Sequence, residues 1–140
     1  MKKIVNLTIL TLAFVITNCK KDDPQKDLIS SKWYLEEIQF TETKTIDQVP
    51  ENLRNMNIEF SDSNRLHAIS SCNVFDGPFY TSGSDSININ VGTTKIYCIN
   101  PIIRYWDSLY YSQINKASKY IIREGKLLIQ TNDKTILVFK

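Results

Sequence analysis

The sequence predicts a small α+β domain: a curved antiparallel sheet or open barrel with one main helix packed on it. Three observations lead there. Short apolar segments are joined by turns of two to four residues, a connection length that only antiparallel neighbours tolerate. A single segment carries clear helical periodicity. The chain's 140 residues, 42% apolar and 23% charged, suit one core and are too few for two ordinary domains.

Taken in order, residues 32–40 form the first expected strand, with Trp33, Leu35, Ile38 and Phe40 as its apolar positions. The alternation slips at Glu36-Glu37, as a β-bulge would cause. Residues 41–55 read as a polar loop. Residues 56–60 and 65–70 flank a four-residue turn and form a hairpin, and residues 78–81 and 86–91 do the same about residues 82–85. Gly77, Gly83, Gly92 and Gly125 fall where strands are expected to stop and read as punctuation. Asn100-Pro101 starts the helix, because an Asn side chain caps free amides and Pro at the first helical position loses no hydrogen bond. Ile103, Trp106, Tyr110, Ile114 and Ala117 follow at helical spacing, Ile102, Tyr105 and Leu109 widen the stripe, and Arg104, Ser108, Ser112 and Asn115 lie opposite. This aromatic stripe reads as core packing, with Tyr111 at its edge. Three closing strands, 119–123, 126–131 and 134–139, are joined by the tight connections Glu124-Gly125 and Asn132-Asp133.

The N-terminus is a different material. Lys2 and Lys3 precede an apolar stretch over residues 4–16, and Cys19 follows at once. The run is shorter than the roughly 20 residues that span a bilayer as a helix, so it reads as a secretory signal. Ile16-Thr17-Asn18-Cys19 resembles a bacterial lipobox, and the position of the cysteine at the end of the run favours a lipoprotein over an ordinary signal peptide. The expected organisation is a signal over residues 1–18, a lipidated flexible linker over 19–28 and a domain over 29–140. Residues 20–27 are charge-rich with one Pro and expected to stay extended, with Lys20, Lys21, Asp22 and Asp23 at their start. These four also look like the export tag of Bacteroidetes surface lipoproteins, and the position two after Cys19 is not the Asp of an inner-membrane retention signal. Acyl chains contribute about 0.8 kcal/mol per buried CH₂, so acylated Cys19 is the expected membrane partner, without any apolar protein patch. The chain carries 17 Lys and Arg against 15 Asp and Glu, and two of the lysines lie in the signal. The mature domain is therefore near neutral, and a nucleic-acid partner is not expected.

Chemistry-bearing clusters are sparse. His67 is the one histidine and sits in a strand, where a structural role is expected. Neither Cys-x₂-Cys nor His-x₃-His spacing occurs, so no metal is expected. Cys72 with His67 as base is an arrangement whose side chains should point to opposite faces. Glu36-Glu37 are strand neighbours, which does not suit paired acid/base work. The phosphate-loop, dinucleotide and nucleophile-elbow motifs are missing, and no cofactor is expected. Setting Cys19 aside leaves Cys72 and Cys98, an even pair in an exported chain, which points to a disulfide; two buried thiols packing as small hydrophobes are the alternative.

Ser71-Cys72-Asn73-Val74-Phe75-Asp76-Gly77-Pro78-Phe79-Tyr80, then Ile87-Asn88-Ile89, then Thr94-Lys95-Ile96-Tyr97-Cys98, resembles the META-domain family, also called HslJ-like. That family repeats a Gly-Cys-Asn, a nearby aromatic and Gly, and a later Thr-Lys/Arg-Met-x-Cys in this order; Ser71 here replaces the Gly and Ile96 the Met. The resemblance runs from about residue 29 to 139. It implies a small exported α+β domain, often an envelope protein or lipoprotein, with no established enzymatic activity. Cys72, Asn73, Gly77, Thr94 and Cys98 carry the motif, and the economical roles are a cross-link, an Asn satisfying a sharp turn's backbone and a strand Thr.

The expected function is thus a non-enzymatic, lipid-anchored domain of the outer membrane, on the cell surface or else on the periplasmic face, that binds an envelope protein or other ligand or has a structural or stress-related role. A lipocalin-like carrier of a small apolar ligand is the alternative, from the loose likeness of Ser31-Lys32-Trp33-Tyr34 to the opening of such barrels. It requires an open interior cavity.

Overall fold

The computed structural model describes residues 24–29 and 31–140; the expected signal, Cys19 and the charged segment after it lie outside these residues. The chain begins with a short helix α1 (Pro24–Ile29), then β1 (Lys32–Phe40), β2 (Thr45–Gln48), a 3-10 turn (Glu51–Leu53), β3 (Asn57–Phe60) and β4 (Arg65–Ile69). It continues with β5 (Val74–Ser82), β6 (Ser86–Ile89), β7 (Gly92–Thr93), the main helix α2 (Pro101–Ile114), β8 (Ala117–Arg123), β9 (Lys126–Thr131) and β10 (Thr135–Phe139).

The sheet closes. In the order β1-β3-β4-β5-β6-β8-β9-β10 every neighbour is antiparallel, and β10 pairs back onto β1, which gives an eight-stranded barrel with β2 and β7 as side additions. The open barrel or curved sheet of the sequence reading is therefore a closed one, with one main helix. Closure hinges on β1. Its first residues pair with β3 through Trp33↔Ile58, and its later ones pair with β2 on the same edge and with β10 on the other. The register against β10 slips between Leu35 and Glu37, the bulge that Glu36-Glu37 announced. Physically, the extra residue returns Ile38 to the interior and leaves both glutamates outside, so the strand bends without losing an apolar inward row.

The interior is filled by side chains. Phe75, Phe79, Phe139 and Tyr110 are fully buried, and edge-on ring contacts link Phe60 to Phe79 at 4.9 Å and Phe75 to Tyr110 at 5.3 Å. Tyr110 comes from α2 and reaches in far enough for its hydroxyl to donate to the Asn57 carbonyl at 3.2 Å. Burial pushes its phenol well above the ordinary tyrosine range. Asn100 caps α2 through its side-chain oxygen, which accepts from the Ile102 and Ile103 amides, with Pro101 in the first turn as expected.

Several expectations change in three dimensions. Residues 24–28 of the expected linker, including 24–27 of its extended stretch, are helical together with Ile29, and Leu28 is fully buried while its carbonyl accepts from the Trp33 indole at 3.1 Å. The polar loop over 41–55 contains β2 and the 3-10 turn. The helical stripe is narrower than read: Ile102 and Tyr105 are exposed, and Ala117 belongs to β8, because Asn115 ends the helix and turns its side chain to the Val91 amide at 2.9 Å. Gly77 is not punctuation. It lies inside β5, where a Cβ would strike the Asn90 carbonyl oxygen and stand 2.8 Å from the Val91 Cα. Gly92 likewise lies in β7, whereas Gly83 and Gly125 occupy turns at φ of +61° and +72°. Replacing Gly77 by Ala should cost about 1–3 kcal/mol, since backbone rather than a flexible side chain must move. Urea unfolding would measure it, and an unchanged midpoint would contradict the close approach.

Candidate functional site

Antiparallel connections alternate between the two ends of a barrel. The α1 to β1 connection and the turns at 61–64 and 83–85 share one end, which α1 covers by packing on β3 and β8. The connection at 70–73 and the long one from 90 to 116, which includes α2, share the other. There Cys72, Asn73, Thr94 and Cys98 of the motif meet, although about twenty residues separate their halves in sequence.

Cys72 and Cys98 are joined in a disulfide with a sequence separation of 26, which decides between the two readings of this pair. Between them sits Asn73, and each of its polar atoms has a partner. Its side-chain oxygen accepts from the Thr94 hydroxyl and from the Ile96 amide, both at 2.8 Å. Its backbone amide and side-chain amide donate to the two oxygens of Asp107, at 2.8 and 2.7 Å. Thr94 returns the link by accepting from the Val74 amide at 3.1 Å, and Ser71 ties the same turn to α2 by donating to the Ile103 carbonyl at 2.8 Å. Asn73 and Asp107 are both buried, so these bonds act at low dielectric, where leaving one unmade is expensive. The Asn73 side chain reaches away from its own turn to the backbone of the 94–98 segment and to Asp107, and so ties the β4–β5 turn, that segment and α2 together.

Asp107 is the member that the sequence reading did not single out. It stands next to Trp106 and three residues before Tyr110, inside the buried stripe, and an acid on an apolar helix face was the available signal. Gly77, the remaining motif residue, is not part of this cluster and acts at the β5 approach to Asn90.

His67 is elsewhere. It is half exposed, its Nδ1 lies 3.5 Å from one Asp76 oxygen while the other pairs with Arg65, and it does not meet Cys72, whose sulfur is bonded to Cys98. Among the described residues no three His, Cys, Asp or Glu side chains gather as a metal site requires. On the outer wall, a cleft of about 420 Å³ opens where β1 leaves β3 for β2. It is polar: Glu36 holds Lys126 at 2.7 Å, and Glu37 accepts from Gln39 and Gln48. The ion pair raises the Lys126 ammonium above its usual range through the hydrogen bond to Glu36.

One contact ties the outer edge of the motif end to the β1–β2 hairpin. The Tyr105 hydroxyl donates to Asp47 at 2.5 Å, and this hydrogen bond, with partial burial, pushes the phenol up to about 12. Because the folded value lies above the unfolded value near 10, the contact stabilises fully below pH 10 and is lost as pH rises to about 12. Stability should fall across that alkaline window, less steeply in Tyr105→Phe. Identical slopes in the two proteins, measured by denaturant unfolding, would contradict the linkage.

The chain matches the META domain over residues 26–140, the region that holds the barrel and this cluster. It belongs to the META-domain family. Among solved structures, this META domain is similar to a protein from Burkholderia xenovorans determined by NMR, with a TM-score of 0.66 at 15% identity, covering 100% of this chain and 97% of that one. It is also similar to a DUF4847-family protein from Bacteroides vulgatus, with a TM-score of 0.61 at 14% identity, covering 82% of this chain and 94% of that one. A further NMR structure gives a TM-score of 0.60 at 19% identity, with 82% and 92% covered. At such identities the likeness carries the fold. No curated protein matches the chain.

Proposed function

We propose that this META domain is a non-enzymatic, lipid-anchored module of the outer membrane, facing the cell surface, that works through its outer surface. The observation that carries this reading is that the motif's polar groups are used up on one another. The thiols are in a disulfide, and Asn73, Thr94 and Asp107 satisfy each other, which leaves a brace rather than a reactive centre. A disulfide also suits an oxidising compartment outside the cytoplasm. Cys19, at the end of the apolar run and a few residues before α1, supports the anchor, and the charged residues after it support surface export.

A carrier of small apolar ligands is the second reading, favoured by the closed eight-stranded barrel. It ranks lower because Phe75, Phe79, Phe139 and Tyr110 occupy the space a ligand would need.

Metabolic labelling with an alkyne fatty acid tests the anchor. The full chain should take up label and lose it in Cys19→Ser; an unlabelled wild type would overturn the anchor. Protease added to intact cells tests the leaflet: removal of the domain supports surface exposure, and full protection of a labelled protein places it on the periplasmic face.

A further inference from the structure

We propose that the surface formed by Ile96, Tyr97, Ile99, Ile102 and Tyr105 is a docking site for a protein segment that presents aliphatic side chains bordered by Asp or Glu. These five side chains, all within ten residues, are 61, 75, 84, 58 and 50% exposed. Single exposed apolar residues are ordinary, whereas this density of Ile and Tyr at one end of a barrel marks an interaction surface. Tyrosine beside arginine is also the composition of binding hot spots.

The surface is built to stay in one shape. Cys98 is cross-linked to Cys72, the Ile96 amide is held by Asn73, and the start of α2 is capped by Asn100. Tyr97 is held by Arg104, whose guanidinium lies 5.9 Å from the ring centre and donates to the phenol oxygen at 3.2 Å. A partner would thus meet a preorganised face and lose little ordering free energy on binding.

Charge selects the partner. Lys95 and Arg104 are exposed and no acid occurs in residues 94–106, while the nearby Asp47 is engaged by Tyr105. The face is apolar with a positive border, complementary to carboxylates. Its position selects a protein over the anchoring bilayer, a step that rests on the proposed lipidation of Cys19. Residues 19–23 extend at most about 17 Å and lead into α1, which covers the opposite end of the barrel. The patch therefore points away from the membrane that holds Cys19.

The test uses the full chain in lipid nanodiscs, panned against a displayed library of random peptides. Recovered peptides should combine aliphatic residues with Asp or Glu, and their affinity should fall at least about tenfold in Ile99→Asp and Tyr97→Ala while Tyr80→Ala, on the barrel wall, leaves it unchanged. Ile99 is so exposed that its substitution should leave the thermal midpoint in place. The double variant Lys95→Glu/Arg104→Glu should instead select peptides bordered by Lys or Arg. Recovery of peptides without an acidic preference, or binding indifferent to Ile99→Asp, would overturn the proposal. So would quenching of Tyr97→Trp fluorescence by brominated nanodisc lipids, which would make the bilayer the occupant, or self-association abolished by Ile99→Asp, which would make it a second copy. Fatty-acid labelling reads the anchor and peptide binding reads the patch, so failure of either is seen separately.

Discussion

Replacing Cys72 and Cys98 together by alanine should lower the unfolding free energy by about 3.5 kcal/mol. The figure follows from the 26-residue separation, because a cross-link removes the conformations in which the unfolded chain holds those two points apart. For a domain of this size the loss corresponds to a fall of roughly 10–20 °C in Tm. Chemical reduction of the wild type should produce the same shift, and reductant should leave the double variant unmoved. The effect should also reach α2, since Cys98 sits two residues before its Asn100 cap and the released 94–98 segment also carries the Thr94 and Ile96 contacts to Asn73. Calorimetry with and without reductant measures it. A shift of only one or two degrees would show that the hydrogen bonds alone hold this end closed.

Asn73→Asp should be as damaging by a different route. The native Asn73 amide donates to an Asp107 oxygen at 2.7 Å, and the substitution would place a second carboxyl group at that contact in a buried site. Two ionised carboxylates cannot share it, so the variant should lose about 3–5 kcal/mol at neutral pH. The sign of its pH dependence follows. A proton shared between the two groups restores a donor, which raises a folded pKa above the unfolded one, so the variant should gain stability as pH falls and lose it as pH rises. Wild type has the amide donor at every pH and should lack this dependence. Adding Asp107→Asn should recover most of the loss, because the donor now comes from the helix and the acceptor from the turn. A double-mutant cycle by urea unfolding gives the coupling; additive losses would mean that the two side chains do not act as a pair.

Much of the barrel was legible locally. The bulge at Glu36-Glu37 showed as a break in alternation, the tight hairpins as Gly and Asn/Asp between apolar runs, and the α2 start as Asn100-Pro101, because in each case the cause and the effect lie within a few residues. Where the cause lies far away, the local pattern misleads. Gly77 looks like a turn residue until the Asn90 carbonyl is seen against it. Ile102 and Tyr105 fit a helical stripe by spacing, yet among the described residues that side of the helix stays at least half open, with only the Tyr105 hydroxyl held by Asp47, so they face outward. The polar composition of α1 is that of a linker, yet Leu28 is its buried foot, and the Trp33 indole bond that fixes it needs β1 in place.

By itself the sequence determined the class of the domain, its main helix and the eight strands of the barrel, because periodicity and turn chemistry are properties of neighbouring residues. It also determined the family motif and the two cysteines that could pair. Tertiary structure alone decided that the sheet closes, since the β1–β10 pairing joins the two ends of the chain and no local pattern encodes which edges meet. It alone recruited Asp107 to Asn73, thirty-four residues apart, and left Ile96, Tyr97, Ile99, Ile102 and Tyr105 exposed in and beside the connection that carries α2. Hydrogen-bond satisfaction in a buried site and the facing of a surface patch both depend on what the rest of the chain brings alongside.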